Sequence, residues 1–514
     1  MPRGGLPTMP IIRRTTLAVW VALGSFALAA HARGDLHRVK HVIVLMQENH
    51  SFDNYFGALP YVPGGPYRAG PCEKHDHACV DGLTCARGSG GLTCRNSNVE
   101  DDGSRVASFH LRNFCVAPDL NHDWPGSHQE ANFNNPALTR LASPNDGFVR
   151  VNDATEQHDN GVETPTEDET MGFYDQGDLP FYYALAQTFA ISDRYFSSVI
   201  GPTFPNRAYA LAATSFGHLT TAEIFPPPGG YRPITGTIMD LLDRRHVSWI
   251  NFFSNLPTTA IFRAPDVPKT MQPVTQFFAK ARARPAPCEL PSVSFVDPAF
   301  EVNDEHPPTD IRLGQSFVSQ IVSTLRASSC WDDSVLFLTY DEHGGFYDHV
   351  APPRARQGGG RNPDGIDPGQ CADASSAPSP ASARPGGGQE CDVSRSDAAA
   401  ICPGFTPTGR YPAFCANFDQ LGFRVPFVAI SPFARPRYVS HEVADHTSML
   451  AFIEKRFLSS GDRDDEDEGE RLHLTARDQH ASTLEDLFDF ERAPSAKAPV
   501  PEPTPPAATC APSP

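Results

Sequence analysis

Positive charge and long apolar runs are both scarce in this chain. Its 514 residues include 42 Lys and Arg against 61 Asp and Glu, which gives a formal net charge of −19. Such an acidic surface repels a phosphate backbone, so the composition argues against a nucleic-acid partner and against polybasic attachment to a membrane. A small phosphorylated substrate is still compatible with it, because local cations or a metal ion can dominate one cleft.

The apolar run near the N-terminus is too short for a membrane span, which needs about 20 residues. It covers residues 17–30, follows Arg13 and Arg14, and ends in the small-x-small sequence Ala30-His31-Ala32. These features are typical of an export signal. We therefore expect residues 1–33 to be a signal peptide, and the mature protein to be secreted or periplasmic without a transmembrane segment. The adjacent arginines leave Sec and twin-arginine export open.

Cysteine, in contrast, is abundant. The chain has 12 cysteines, and most fall in two polar, Gly-rich stretches, at Cys72, Cys79, Cys85, Cys94 and Cys115 and at Cys371, Cys391, Cys402 and Cys415. Disulfides substitute for a core that such stretches cannot form, so the pattern predicts crosslinks. A zinc site that uses His75 and His77 is the weaker alternative, because no repeated C-x-x-C pair accompanies them.

Short apolar runs that alternate with helical patterns predict an α/β fold, a sandwich around a mostly parallel sheet. The predicted strands are 40–46, 334–339 and 426–430, and the predicted helices are 179–189, 205–214, 316–327 and 447–457. We expect one catalytic domain over residues 34–492. Within it, residues 72–115 are Cys-rich and 352–402 are a Gly/Ala/Pro-rich surface insertion, and residues 493–514 form a disordered Pro-rich tail.

Two of the predicted strands end in acidic and amide side chains. Glu48 and Asn49 follow the first strand, and Asp341 and Glu342 follow the second. Ligand groups gather beyond the carboxyl ends of strands in such sheets, and hard oxygen donors suit Mg²⁺, Ca²⁺ or Mn²⁺, while carboxylates also hold Zn²⁺. Either pair alone also fits a helix cap. Both pairs together predict a divalent metal site.

Thr203 is the candidate nucleophile. It follows a Gly-Pro turn, and Pro205 suits the first turn of the helix that comes next. The dipole at a helix N-terminus favours an alkoxide and binds phosphate oxygens, and a metal would lower the pKa of the hydroxyl further. Taken alone, a helix cap is the simpler interpretation of this threonine.

His122 and His306 are candidates to bind phosphoryl oxygens or to protonate a leaving alcohol, which are roles that imidazole performs near neutral pH. Most of the 19 histidines must have structural roles instead. We assign His75, His77 and His480 to that group.

Four ordered segments carry a family resemblance: HVIVLMQENHSFDNYFG, SDRYFSSVIGPTFPNR, TYDEHGGFYDHVAPP and VPFVAISPFARPRYVSHEVADHTSMLAFIEKRF. In these the chain resembles the bacterial phospholipase C and acid phosphatase family, which includes the plant non-specific phospholipases C and belongs to the alkaline phosphatase-like superfamily. The resemblance covers roughly residues 38–350 and 420–492. It implies an alkaline phosphatase-like three-layer α/β sandwich.

The resemblance also implies a set of site residues. The implied ligands of the divalent metal are Glu48, Asn49, Thr203, Asp341 and Glu342. The implied catalytic residues are Thr203 as nucleophile, His122 and His306 at the phosphoryl group, and Asn206 in support. Arg207 either supports the same site or makes a structural ion pair.

The expected function is that of an exported phospholipase C, which releases diacylglycerol through a phospho-threonine intermediate and contacts the membrane surface transiently. Acid phosphatase action on small phosphomonoesters at the same site is the alternative, and an inactive phosphate-binding protein is a third. A sulfatase would need a Cys or Ser signature that is absent around Thr203. Acyl chains require an apolar entrance, for which the candidates are Phe52, Tyr55, Phe56, Phe204 and Phe346.

Overall fold

The computed structural model describes most of the chain between Asp35 and Arg492. The described residues are 1–2, 4–5, 35–137, 143–152, 167–221, 226, 229–371, 391–459, 472–492 and 500–505. The expected signal peptide therefore lies almost entirely outside the described residues, and so do parts of the insertion 352–402 and of the tail 493–514.

An eight-stranded sheet forms the centre of the described chain. In chain order its strands are β1 His41–Gln47, β2 Ala190–Ser192, β3 Trp249–Phe253, β4 Met271–Pro273, β5 Val293–Asp297, β6 Ser334–Tyr340, β7 Phe427–Ile430 and β8 Tyr438–Ser440. Across the sheet their order is β4-β3-β5-β1-β6-β7-β2-β8, and β7 runs antiparallel to both of its neighbours while the other pairs are parallel. This confirms the predicted α/β fold with a mostly parallel sheet.

Strands β1 and β6 lie side by side in the middle of the sheet, and their register positions the site. They pair in parallel from His41 beside Ser334 to Gln47 beside Tyr340. Both strands are buried along nearly their whole length, which explains their continuous apolar sequences. Because the two strands end level with each other, the residues that follow them enter the same edge of the sheet.

Helices surround this sheet. They are α1 Phe52–Phe56, α2 Trp124–Ala131, α3 Pro180–Thr188, α4 Thr203–Ala212, α5 Ile238–Arg244, α6 Thr275–Lys280, α7 Ile311–Ala327, α8 Asp392–Ile401, α9 His446–Phe457 and α10 Ala476–His480. The four predicted helices are found as α3, α4, α7 and α9. Helix α7 starts earlier than predicted because Asp310 caps it, with its carboxylate accepting the backbone N–H of Arg312. Helices and sheet share one core, as in a three-layer α/β sandwich.

Disulfides crosslink the polar stretches, as predicted. The described bridges are Cys72–Cys79, Cys85–Cys94, Cys288–Cys330, Cys371–Cys391 and Cys402–Cys415. The first bridge rules out Cys72 and Cys79 as zinc ligands. Helix α8, which was not predicted, lies within the insertion between two bridges and packs Ala398 and Ile401 into a small apolar cluster. None of the helices in the described ranges is both long and apolar enough to cross a bilayer.

Candidate active site

A hydrogen bond joins the segments that follow β1 and β6 close to the ends of the two strands. Asn49 adopts a left-handed backbone conformation with φ 63°, and its N–H donates to Asp341 Oδ1 at 3.2 Å. Gly344 comes so close that a Cβ there would lie 2.3 Å from the carbonyl oxygen of Asn49. The absence of a side chain at Gly344 therefore allows this close backbone approach.

Arg207 connects the acidic residues of the two segments. Its Nη2 lies 2.9 Å from Glu48 Oε1, and its Nε lies 3.1 Å from Asp341 Oδ2. Burial raises the pKa of Glu48 well above its usual value, and Asp341 adds to that shift while Arg207 opposes it. Arg207 thus forms a buried ion pair directly with two of the residues expected to bind metal.

Glu342 and His122 form the next part of the cluster. Glu342 Oε2 accepts the Gly344 N–H at 2.7 Å, whereas its Oε1 is buried without a hydrogen-bond partner among the described residues and lies 3.8 Å from His122 Nε2. Burial, with Asp341 nearby, raises the pKa of Glu342 to about 8, although His122 opposes the shift. The His122 ring is fixed by Nδ1, which donates to the Leu120 carbonyl at 2.7 Å.

The carboxyl groups around His122 favour its protonated form. Burial disfavours the imidazolium, but Glu342 and Asp119 outweigh it and raise the pKa of His122 to about 10. His306 lies edge-on to His122, with ring centroids 5.7 Å apart, and its Nε2 is 3.8 Å from Asp119 Oδ2. The fold therefore brings together the two histidines that the sequence nominates, from segments almost two hundred residues apart.

Asp119 is a site residue that the sequence reasoning missed. One ligand atom each from Asp119, His122 and His306 lies within 4.8 Å of the other two. The only available signal was its position three residues before His122, in a segment without any regular pattern. Its carboxylate helps to raise the pKa of His122.

The surroundings of the acidic cluster fit a divalent cation. Three buried carboxylates, of Glu48, Asp341 and Glu342, face one guanidinium and one imidazolium. Glu342 Oε1 and Asn49 Oδ1 are buried without hydrogen-bond partners among the described residues. Buried carboxyl groups with unused oxygen donors are costly to ionise unless a cation neutralises them.

Thr203 is the first residue of α4, one turn before Arg207 on the same side of the helix. It is 6% exposed, and its hydroxyl makes no hydrogen bond to any described residue. The orphan N–H of Phe204 is satisfied by Thr221 Oγ1 at 3.2 Å instead. The Thr203 hydroxyl is thus not a helix cap, which removes the simpler interpretation of this residue.

Asn206 holds the loop that leads into Thr203. Its Nδ2 donates to the carbonyls of Gly201 at 2.9 Å and Pro202 at 3.1 Å, and its Oδ1 accepts the Val199 N–H at 3.1 Å. The side chain is fully buried and its amide is committed to these backbone groups. Its contacts are those of a support for the nucleophile loop.

The expected apolar entrance is not where the sequence suggested. The aromatic residues nominated for it are at most 2% exposed and belong to the core, namely Phe52, Tyr55, Phe56, Phe204 and Phe346. That prediction is wrong, because these rings pack into the core that the sheet and helices share. Beside the site, Phe300 lies over the Arg207 guanidinium at 5.1 Å and Val302 is 53% exposed.

Comparisons with known proteins give a family match and named relatives for this chain. The model of the Phosphoesterase family matches residues 39–458. The chain is 29% identical over 476 residues to non-specific phospholipase C6 of Arabidopsis thaliana, covering 90% of this chain and 74% of the relative. It is 30% identical over 452 residues to phospholipase C A of Mycobacterium tuberculosis strain ATCC 25618 / H37Rv, covering 82% and 74%.

Among solved structures, murine ectonucleotide pyrophosphatase / phosphodiesterase 5 aligns with 60% of this chain and 94% of its own, at 10% identity and a TM-score of 0.32. At that score the superposition adds nothing to what the sheet order and the family match establish.

Proposed function

Because this chain belongs to the phosphoesterase family, and is therefore a hydrolase of phosphoester bonds, we propose that it is an exported, metal-dependent enzyme of the phospholipase C type. Its relatives named phospholipase C align with 82–90% of the chain. The proposed reaction converts a phospholipid into diacylglycerol and a phosphorylated headgroup. Export is supported by the five described disulfides, which are typical of oxidising compartments.

The observation that carries the proposal is the buried, uncompensated acidic cluster at the carboxyl edge of β1 and β6. We assign Glu48, Asn49, Asp341 and Glu342 as the residues that would hold a divalent cation, together with the Thr203 hydroxyl. When bound, such a cation neutralises phosphoryl oxygens and lowers the pKa of a coordinated hydroxyl. Oxygen donors of this kind suit Mg²⁺, Ca²⁺ or Mn²⁺, and carboxylates also hold Zn²⁺.

In the proposed first step, Thr203 Oγ1 attacks phosphorus in line as an alkoxide, its proton having passed to bulk water. The Oγ1–P bond forms as the bond from phosphorus to the glycerol oxygen breaks, and His122 gives its Nε2 proton to that oxygen. The raised pKa of His122, to about 10, keeps the ring protonated for this role. His306, beside it, binds a phosphoryl oxygen or shares the proton transfer.

In the second step, water attacks the phospho-threonine. The now neutral His122 takes the proton of the water, the bond from Oγ1 to phosphorus breaks so that Oγ1 returns to the alkoxide, and the phosphorylated headgroup leaves. Asn206 keeps the Thr203 loop in place throughout, and the N-terminus of α4 favours the negative charge that develops there. Most of the catalysis then comes from positioning and charge neutralisation.

The experiment that tests this function compares two substrates on the purified protein with divalent cation present, followed over pH. Release of diacylglycerol from phosphatidylcholine supports the phospholipase C assignment. Cleavage of a chromogenic phosphomonoester alone would make the enzyme a phosphatase that uses the same residues. Tight binding of phosphate without any turnover would favour the inactive binding protein.

A further inference from the structure

Outside the groups assigned above, one buried carboxylate has an unusual set of partners. Glu305 is fully buried, and its Oε2 accepts the hydroxyls of Tyr55 at 2.6 Å and Tyr340 at 2.7 Å. Its Oε1 accepts the hydroxyl of Tyr182 and the side-chain amide of Gln47, the latter at 3.2 Å. Four donors thus match the four lone-pair sites of one ionised carboxylate.

Two of these partners, Gln47 and Tyr340, directly precede segments that form the active site. Gln47 directly precedes Glu48 and Asn49, Tyr340 directly precedes Asp341 and Glu342, and Glu305 directly precedes His306. Each of the three site segments therefore has a residue in this one hydrogen-bonded cluster. Of the other two partners, Tyr55 lies on α1 and Tyr182 on α3, and neither helix carries a proposed site residue.

The backbone on either side of Glu305 is tied to the β1 segment as well. The N–H of Glu48 donates to the Asp304 carbonyl at 2.8 Å, and His50 Nε2 donates to the Glu305 carbonyl at 3.0 Å. Glu305 itself has a left-handed backbone with φ 76°, which non-glycine residues adopt only where the surroundings hold them. The segment that presents His306 is thus fixed against the segment that presents the acidic residues.

Helix α7 leaves room for this carboxylate. A Cβ at Gly314, inside that helix, would lie 2.1 Å from Glu305 Cγ and 2.5 Å from Oε1. Glycine in a helix interior lowers helix stability relative to alanine. Gly314 therefore makes room for the Glu305 side chain at a cost to the stability of α7.

We propose that Glu305 is a positioning residue of the active site, whose carboxylate fixes the Glu48-Asn49, Asp341-Glu342 and His306 segments relative to one another. The inference rests on the proposed function. Glu305 acts through its neighbours and does not contact the substrate. The loss of an ordinary buried carboxylate lowers the stability of the fold. The loss of Glu305 changes the geometry of the site more than it lowers the stability of the fold.

The test compares two tyrosines that donate to the same carboxylate. Tyr340→Phe removes a hydrogen bond from a site segment, and Tyr182→Phe removes one from α3. We expect similar shifts of the thermal unfolding midpoint for both. We expect Tyr340→Phe to lower both kcat and the affinity for Mn²⁺ by about 10- to 100-fold, which is the range found for residues that orient metal ligands. We expect Tyr182→Phe to stay close to wild type in both quantities. Equal losses in the two variants, or none in Tyr340→Phe, would overturn the proposal.

Hydrogen exchange of the substrate-free and metal-free protein gives a readout that does not depend on activity. In Glu305→Gln, peptides that cover residues 47–50, 303–306 and 340–345 should exchange faster than in wild type, while peptides from β7 and α9 stay unchanged. Uniform acceleration, or no change in the three site segments, would overturn the positioning role. If wild type hydrolyses no phosphoester, the proposed function fails while this measurement still decides the role of Glu305.

Discussion

At the scale of single residues, the site depends on charges that the fold buries without full compensation. Glu48, Asp341 and Glu342 lie together because two neighbouring strands end level, and Arg207 neutralises only part of their charge. The burial that raises the pKa of Glu342 to about 8 is the same burial that makes a divalent cation favourable there. Thr203 stands at the adjacent helix N-terminus with its hydroxyl unused by the protein.

Thr203→Ala should abolish turnover without loss of stability. The hydroxyl makes no hydrogen bond to any described residue, so its removal leaves the folded state unchanged, whereas the reaction loses its nucleophile. We expect kcat to fall by at least about a thousandfold, measured on any substrate that wild type cleaves.

Thr221→Ala is the matched control, because Thr221 lies at the same helix end but supports it. Its Oγ1 accepts the Phe204 N–H at 3.2 Å, so the variant should lose about 1 kcal/mol of stability while keeping most of its activity. A Thr203→Ala variant that turns over near the wild-type rate would remove Thr203 from the mechanism.

At the scale of elements, a buried charge network holds the Cys-rich segment against the segments that follow β1 and β6 and precede β7. The Arg424 guanidinium lies 3.0 Å from Asp53 Oδ1 and 2.9 Å from Asp348 Oδ1, and it donates to the Asp81 carbonyl at 2.7 Å. His349 adds a further link, with Nδ1 2.6 Å from Asp53 Oδ2 and Nε2 3.3 Å from Asp81 Oδ1. Asp81 belongs to the segment 72–115, so the docking of this segment depends on these charges.

The ion pairs of His349 make the free energy of unfolding fall as the pH becomes alkaline. Burial disfavours the charged ring, but Asp53 and Asp81 raise its pKa to about 10. A pKa raised above the unfolded value of about 6.5 gives stability that is complete below that pH and is lost as pH rises towards 10. We expect the free energy of unfolding to fall between pH 7 and 10, and His349→Gln to cost about 3 kcal/mol at pH 7 and to flatten that slope.

Chemical denaturation at a series of pH values checks this expectation. The exposed His75 provides the control, and His75→Gln should leave both the stability and its slope unchanged. An unaltered slope in His349→Gln would show that the network does not depend on the charge of this ring.

The disulfides should stabilise the fold according to the loops that they close. Cys288–Cys330 has a sequence separation of 42, against 9 for Cys85–Cys94. Loop-closure entropy then gives about 4 kcal/mol for the first bridge and about 2.5 kcal/mol for the second. Replacing each pair by alanine and measuring denaturant unfolding tests this order, and an equal or larger loss for Cys85–Cys94 would contradict it.

At the scale of the whole molecule, the sequence predicts the centre of the fold better than its periphery. Strands β1 and β6 are evident because they are buried on both faces and so consist of uninterrupted apolar residues. The three-residue strands β2, β4 and β8 are too short to show the alternating apolar pattern of a strand. They form through pairing with neighbouring strands, which the local sequence does not show.

The same limit applies to the site. Glu48 and Asp341 can be found from sequence because each directly follows a recognisable strand. Asp119 and Glu305 cannot, because their importance comes from partners that are distant in the chain, such as Gln47 and Tyr340 for Glu305. Long-range pairing of this kind leaves no local pattern.

The most direct test of the central claim is the release of diacylglycerol from phosphatidylcholine by wild-type protein before and after chelation, with Mg²⁺, Ca²⁺, Mn²⁺ and Zn²⁺ added back separately. The buried acidic cluster predicts that chelation abolishes release and that at least one of these cations restores it. Undiminished release by protein that elemental analysis shows to be free of metal would contradict the account.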